Sequence, residues 1–269
     1  MVIQITFTIN SPITLPMVDM PSMVETIIPE QLVDEAAGAS AVAFLALTIP
    51  ITVVLNLIAS LGVVSAIGAD AGWTVTFVAG SIATELSFLL VGLTYISLRS
   101  TFRVPTRLPN QDSLPVLAGG LVLSFATAFM SYVSTDAIFP TIEISPGFTQ
   151  YTNFVAPTTA GIVLAVVLSL AVIGPVEEFF FRGVIQQRLS TSFATGTATA
   201  VASVVFAIFH VYPVLFVSPP LIAVAHMLLY YTLMGVIFGW VYNETDTLVA
   251  PALVHGIFNS TSFVIIAVA

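Results

Sequence analysis

Two carboxylates and a guanidinium lie inside a hydrophobic helix, in the segment from Gly174 to Arg188. Ionisable side chains cost about 2.5 to 3.5 kcal/mol each at the centre of a membrane helix, so they occur mainly where they line a cavity or do chemistry. On a helix Glu178 and Arg182 are i,i+4 neighbours that can pair, whereas Glu177 points about 100° away around the axis. We therefore expect one carboxylate to be neutralised and Glu177 to be available for acid–base chemistry.

Further polar side chains lie in later hydrophobic segments, with His210 in one and His255 and Asn259, also i,i+4 neighbours, in another. Counted from a turn predicted near residues 191–193, Glu177 and His210 differ in depth by only about 5 Å, because a helix rises about 1.5 Å per residue. We expect these two to face each other and the other pair to approach the same layer. A free carboxylate, two imidazoles and an amide are what water activation and oxyanion stabilisation require.

Each of these features also has a structural interpretation when taken singly. The pair of Glu178 and Arg182 could lock two helices together, and a lone intramembrane histidine is often a hydrogen-bonded packing group. Two other intramembrane groups belong to no constellation. We expect His226 to be a packing residue and Glu85 to line a cavity or to form a pair.

The composition predicts a polytopic membrane protein. Hydrophobic residues make up 58% of the 269 positions and charged residues only 7%, whereas about 25% charged residues are usual in soluble domains. Seven apolar stretches approach the roughly 20 residues that span a bilayer. They are, approximately, 40–67, 72–98, 115–135, 158–188, 195–216, 221–242 and 248–268. The predicted fold is all-α, with about seven transmembrane helices around an intramembrane polar cavity.

The chain is predicted to have two parts, a peripheral segment at residues 1–38 and a transmembrane domain at residues 39–269. Residues 2–10 alternate between apolar and polar side chains, which predicts a strand. A short acidic helix is expected to begin near Pro29. No cleavable signal peptide is expected, so the first hydrophobic helix would target the chain. The absence of cysteine excludes disulfides, thiolate metal ligands and a cysteine nucleophile.

Charge is sparse and strongly acidic. The five cations are all arginines, set against fourteen acidic residues, and the net charge is −9. This balance argues against nucleic acid as a partner and is typical of proteins from halophilic archaea. The arginines of the 99–115 loop and Arg188 predict that this loop and the end of the fourth span face the cytoplasm. The acidic loop at 136–157 is then expected to lie outside.

The acidic balance predicts that the detergent-solubilised protein loses stability below molar salt. Repulsion between loop carboxylates extends farther as the Debye length grows from about 3 Å at 1 M to about 10 Å at 0.1 M salt. The measurement is the melting temperature at those two concentrations. An unchanged melting temperature would remove the halophilic interpretation.

Three motifs occur in order: Glu177-Glu-Phe-Phe-Phe-Arg182, Phe206-x-x-x-His210 and His255-x-x-x-Asn259. They match the E-E-x-x-x-R, F-x-x-x-H and H-x-x-x-N motifs of the CAAX prenyl protease 2 and bacteriocin-processing family of intramembrane proteases, also called the CPBP or ABI family. The chain resembles this family over about residues 170–262, and the protease-like core is expected at about 158–265.

The resemblance implies roles for the motif residues. Glu177 would activate a water with the help of His210, and His255 and Asn259 would stabilise the oxyanion. Glu178 and Arg182 would hold the helix and tune the site.

Family members are often labelled metalloproteases, and zinc could use Glu177, His210 and His255 as ligands. The sequence has no H-E-x-x-H motif, and we expect the reaction to need no metal or other cofactor. In that case the base is not committed to a metal and the imidazoles remain available for the substrate.

The resulting expectation is a plasma-membrane endopeptidase that cuts a membrane-anchored or prenylated CaaX-type protein from a cavity open to the cytoplasm. Its partners would be that substrate and the lipid bilayer. One alternative is a non-catalytic scaffold or immunity protein of the same family. Another is an ion-coupled transporter that uses Glu85 and Glu177, although we find no internal repeat of the kind that transporters show.

Overall fold

The computed structural model describes residues 30–68, 71–99, 102–138 and 158–268. The chain divides into two compact units, residues 1–36 and 37–269. The strand predicted at residues 2–10 and most of the loop predicted at residues 136–157 lie outside the described residues. The fold below is that of the second unit, together with the helix that leads into it.

Every regular element in the described part of the chain is helical. The first three long helices are α1 (Glu30–Ile67), α2 (Trp73–Ser97) and α3 (Leu114–Ile138). A continuous fourth helix contains α4 (Thr159–Leu168), α5 (Gly174–Glu178) and α6 (Gln187–Ser190). The last three are α7 (Thr195–Val211), α8 (Leu221–Thr245) and α9 (Val249–Val268).

Six of these helices are long and apolar enough to cross a membrane, and α9 contributes a shorter apolar helix at Val249–Ile265. The predicted all-α polytopic membrane fold is confirmed.

The exposure of side chains along α1 shows what surrounds the helices. Its inner face buries polar residues, among them Thr52 and Asn56. Its outer face exposes large apolar side chains at helical spacing, namely Leu47, Ile51, Val54, Ile58 and Leu61. An apolar surface with a partly polar interior is suited to lipid as the solvent.

One end of the bundle carries every arginine except Arg182. Here α1 contacts the end of α6 through Ser40 and Arg188, and it contacts the end of α2 through Phe44 and Tyr95. At the same end, the segment after α2 bonds to the end of α8, because Arg107 donates to the Thr245 carbonyl. We call this end, formed by residues 40–44, 95–99, 102–107, 187–192 and 244–248, the arginine face.

The fourth helix changes from α-helical to π-helical winding on both sides of α5. Residues Ser169–Ile173 and Phe179–Gln186 are π-helical. Pro175 has no N–H to donate to the carbonyl four residues earlier. The preceding residue, Gly174, donates its N–H to Ser169 O, five residues back. Short π-helical segments are rare and are frequent at functional sites. This change of winding lies directly beside Glu177 and Glu178.

Glycines bring α5 and α9 into backbone contact. A Cβ at Gly174 would lie 2.8 Å from the Ala252 carbonyl oxygen, and one at Gly256 would lie 2.9 Å from the Ser169 carbonyl oxygen. Small residues at such positions allow membrane helices to approach closely. The contact sets the distance between the carboxylates of α5 and His255, which precedes Gly256.

We expect Gly256→Ala to destabilise the protein by about 1 to 3 kcal/mol, because the added methyl overpacks a contact made by backbone atoms that cannot move aside. The measurement is the melting temperature of purified protein. Gly80→Ala is the matched control, since a Cβ there meets nothing within 4 Å, and alanine is the better helix former. Equal melting temperatures for Gly256→Ala and the wild type would show that the helices are not in close contact.

Candidate active site

The carboxylate of Glu177 lies between two imidazoles. Its Oε2 atom is 3.6 Å from His210 Nε2 and 3.9 Å from His255 Nε2. It has no hydrogen-bond partner among the described residues. The expectation that Glu177 and His210 face each other is confirmed. The side chain of His210 is 19% exposed and that of Glu177 is 9% exposed, so the site can be reached from the side of His210.

Hydrogen bonds at the far side of each ring fix how the imidazoles face Glu177. His210 Nδ1 is 2.9 Å from the Phe206 carbonyl oxygen, and His255 Nδ1 is 2.8 Å from Glu178 Oε1. A carbonyl or carboxylate oxygen can only accept, so Nδ1 carries the proton in both rings. In the neutral tautomers both Nε2 lone pairs therefore point towards Glu177.

Aromatic side chains hold both rings in place. His210 stacks on Tyr231, with ring centroids 4.4 Å apart, and also contacts Phe206 at 4.2 Å. His255 stacks on Phe238 at 4.5 Å, with the ring planes 16° apart. Of these aromatic residues, Phe206 belongs to a sequence motif. Phe238 and Tyr231 were missed, because the histidine and the acidic residue of α8, His226 and Glu244, belong to no motif that would single out their positions.

Glu178 and Arg182 form the predicted i,i+4 pair, at 3.0 Å between Oε1 and Nη1, with both side chains almost completely buried. The same Glu178 oxygen receives the bond from His255, so the pair is also part of the site. Arg182 also donates to the Gly235 carbonyl of α8 at 2.8 Å. Its guanidinium carbon is 4.8 Å from the ring centre of Phe206. One buried cation thus connects the fourth helix with α7 and α8.

The other polar residues singled out in the sequence are Asn259, Glu85 and His226. Asn259 is buried, and its Oδ1 atom has no hydrogen-bond partner in the described structure. Glu85 of α2 is also buried, with Oε2 unpartnered among those residues, and it lies close enough to interact electrostatically with Glu177. Sequence reasoning placed Glu85 in a cavity or a pair and linked it to Glu177 only in the transporter alternative. His226 contacts Ser134 Oγ at 2.8 Å, joining α8 to α3.

Zinc is the metal that two imidazoles and a carboxylate suit, so Glu177, His210 and His255 would be its ligands in this chain. Their Oε2 and Nε2 atoms do point towards one another. Over the described ranges, however, no three His, Asp or Glu side chains are grouped as a metal ion requires. No step of the reaction is therefore derived through a metal.

Comparison with known proteins places the likeness in the second half of the chain. No curated protein and no solved structure matches the chain significantly. A family model described as Type II CAAX prenyl endopeptidase Rce1-like matches residues 159–261. That range begins with α4, ends within α9 and contains all six predicted site residues. The match supports the family resemblance drawn from the three motifs, and this part of the chain is similar to the type II CAAX prenyl endopeptidases described as Rce1-like.

Proposed function

We propose that this protein is an intramembrane endopeptidase that hydrolyses a peptide bond with a water activated by Glu177. The observation that carries the proposal is the position of Glu177 Oε2 between two imidazole nitrogens, 3.6 Å and 3.9 Å away, in a buried site. The match of residues 159–261 to a family of endopeptidases supports the same reaction.

The first step uses the acceptors that face the site. A water donates one hydrogen to Glu177 Oε2 and the other to His210 Nε2, which leaves an oxygen lone pair directed at the substrate carbonyl. As the oxygen attacks the carbonyl carbon, Glu177 takes the proton and acts as the general base. His210 is suited to orient the water because Phe206 O and Tyr231 fix its ring.

The second step stabilises the charge that develops on the carbonyl oxygen. Asn259 would donate from its amide, and His255 would donate from Nε2. Because Nδ1 of His255 already carries the proton bonded to Glu178, this second donation requires the imidazolium form. Glu178 is placed to stabilise that cation. Oxyanion donors of this kind contribute about 2.7 to 4 kcal/mol each in other hydrolases.

The third step breaks the bond. The C–N bond cleaves as the tetrahedral intermediate collapses, and Glu177 returns its proton to the departing amine. One product then carries a new carboxyl group containing the water oxygen, and the other carries a free amino group. The enzyme is restored without any change in its own covalent structure.

The substrate class follows from where the site lies. Glu177 and His255 are buried among membrane helices, so a substrate must bring its scissile bond into the bilayer. A membrane-anchored protein, or a prenylated CaaX-type protein as in the matched family, meets that requirement.

The chain would act in the plasma membrane, and the arginine face would be cytoplasmic by the positive-inside rule. A cavity that opens to the cytoplasm is part of this proposal and not an observation, since the partly exposed His210 lies near the end of α7 that is away from the arginine face.

Substrates can be found by comparing the membrane proteome of a deletion strain with that of a Glu177→Gln strain. We expect the same proteins to remain uncut in both strains and to be cut in the wild type. A deletion phenotype that the Glu177→Gln protein fully restores would favour the scaffold or immunity alternative. Proton or ion flux into vesicles that is lost in the Glu85→Gln variant would favour the transporter.

We further propose that the reaction needs no metal. The measurement is metal content by mass spectrometry on active, chelator-washed protein. We expect activity without stoichiometric zinc, because ligation by Glu177 would occupy the base that the mechanism requires. Stoichiometric zinc whose removal stops the reaction and whose return restores it would refute this mechanism but not the protease assignment.

A further inference from the structure

Arg188 is a buried cation whose partners among the described side chains are neutral. Its side chain is 8% exposed. Nη1 donates to Thr191 Oγ1 at 2.8 Å and to Ser192 Oγ at 2.9 Å, and Nη2 donates to Ser40 Oγ at 2.6 Å. No described carboxylate lies within ion-pair distance of it. By contrast, Arg182 pairs with Glu178 and Arg107 with Asp246. Burying a charge without a counter-charge is costly, so an anion at this position would be stabilising.

A second guanidinium, that of Arg99, is connected to Arg188 through the rings of Tyr95 and Phe44. The Arg99 guanidinium carbon is 5.7 Å from the ring centre of Tyr95, and the Tyr95 ring is 4.8 Å from that of Phe44. Arg188 in turn lies over Phe44 at 5.9 Å. Both arginines also interact electrostatically with the Tyr95 side chain. The two cations therefore belong to one cluster at the junction of α1, α2 and α6.

The cluster opens where lipid headgroups would lie. It is on the arginine face, at the ends of membrane helices, and Ser40, Thr191 and Arg99 are exposed. Large apolar side chains next to it in sequence are also exposed, with Leu98 at 77% and Val42 at 61%. A pair of guanidiniums suits a phosphate, and basic pockets between membrane helices bind anionic headgroups. Exposed apolar neighbours favour an amphiphile over a free ion.

We propose that Arg188 and Arg99 bind the phosphate of an anionic phospholipid at the arginine face. The lipid supplies the counter-charge that the described residues do not give to Arg188, and its chains lie along the apolar surfaces of α1 and α2. The proposal is independent of the hydrolytic reaction, because Arg188 lies about three turns along the fourth helix from Glu177.

The test is native mass spectrometry together with thermal unfolding of the purified full-length protein. Dioleoyl phosphatidylglycerol is compared with dioleoyl phosphatidylcholine, which has the same chains but no net charge, and with inorganic phosphate. We expect one retained phosphatidylglycerol and a raised melting temperature, with little effect of the other two. Arg99→Gln and Arg188→Gln should each weaken that binding by about fivefold or more.

Arg107→Gln is the matched control, since Arg107 lies on the same face but pairs with Asp246 and is largely exposed; it should bind phosphatidylglycerol as the wild type does. If Arg188→Gln does not fold, Arg99→Gln decides the question, because that side chain is exposed. Equal retention of the two lipids, an unchanged preference in Arg99→Gln, or the same stabilisation by inorganic phosphate alone would each overturn the proposal.

Discussion

Replacing Glu177 with glutamine is expected to reduce peptide-bond hydrolysis by about 10²- to 10⁴-fold, the usual contribution of a positioned general base. Glutamine keeps the shape of the side chain but cannot accept the proton of the attacking water. Folding should be little affected, because Glu177 Oε2 has no hydrogen-bond partner among the described residues. The measurement is the cleavage rate of a membrane-anchored substrate in liposomes, with melting temperature recorded on the same preparation.

Glu244→Gln is the matched control for this substitution. It makes the same chemical change at an exposed position at the end of α8, so it should leave cleavage unchanged. Normal cleavage by Glu177→Gln would remove Glu177 from the mechanism. Loss of cleavage together with a large fall in melting temperature would mean that Glu177 is needed for the fold.

Replacing Arg182 with alanine should have the largest effect on stability. It leaves Glu178 buried beside His255 without its cation and removes the bond to the Gly235 carbonyl. Breaking a buried pair by removing one partner costs about 3 to 5 kcal/mol. We expect a much lower yield of monodisperse protein and a lower melting temperature. Glu178→Gln should act in the same direction, because it leaves Arg182 without its carboxylate.

Arg107→Ala separates the effect of burial from the effect of losing an arginine. Arg107 and Asp246 pair at 3.3 Å, but their side chains are 63% and 73% exposed, and surface pairs contribute only about 0 to 1 kcal/mol. Its melting temperature should therefore stay near that of the wild type. If Arg182→Ala were as stable as Arg107→Ala, the buried pair would not be holding the helices together.

Regular helical geometry is the part of the site that could be predicted from the sequence. The i,i+4 rule paired Glu178 with Arg182, and the pair is present. The helical rise placed Glu177 opposite His210, and the two are in contact. The apolar stretches likewise predicted the membrane helices, because the length needed to cross a bilayer depends on few details of sequence.

Contacts between helices that do not follow each other in the chain could not be predicted in this way. The bonds of Glu178 to His255 and of Arg182 to Gly235 O depend on how helices distant in sequence pack and rotate. The electrostatic interaction of Glu85 with Glu177 depends on the packing of α2 in the same way. The π-helical winding beside Glu177 also carries no periodic signal, although Pro175 marks a place where an α-helical bond is lost.

The central claim, hydrolysis by a water that Glu177 activates, is tested most directly by isotope transfer. Purified protein in liposomes cleaves a membrane-anchored substrate in water enriched in oxygen-18, and the fragments are analysed by mass spectrometry. We predict one oxygen-18 atom in the new carboxyl group of the amino-terminal fragment, with neither fragment formed by Glu177→Gln. Intact substrate with the wild-type protein, or labelled fragments formed equally by Glu177→Gln, would contradict the account.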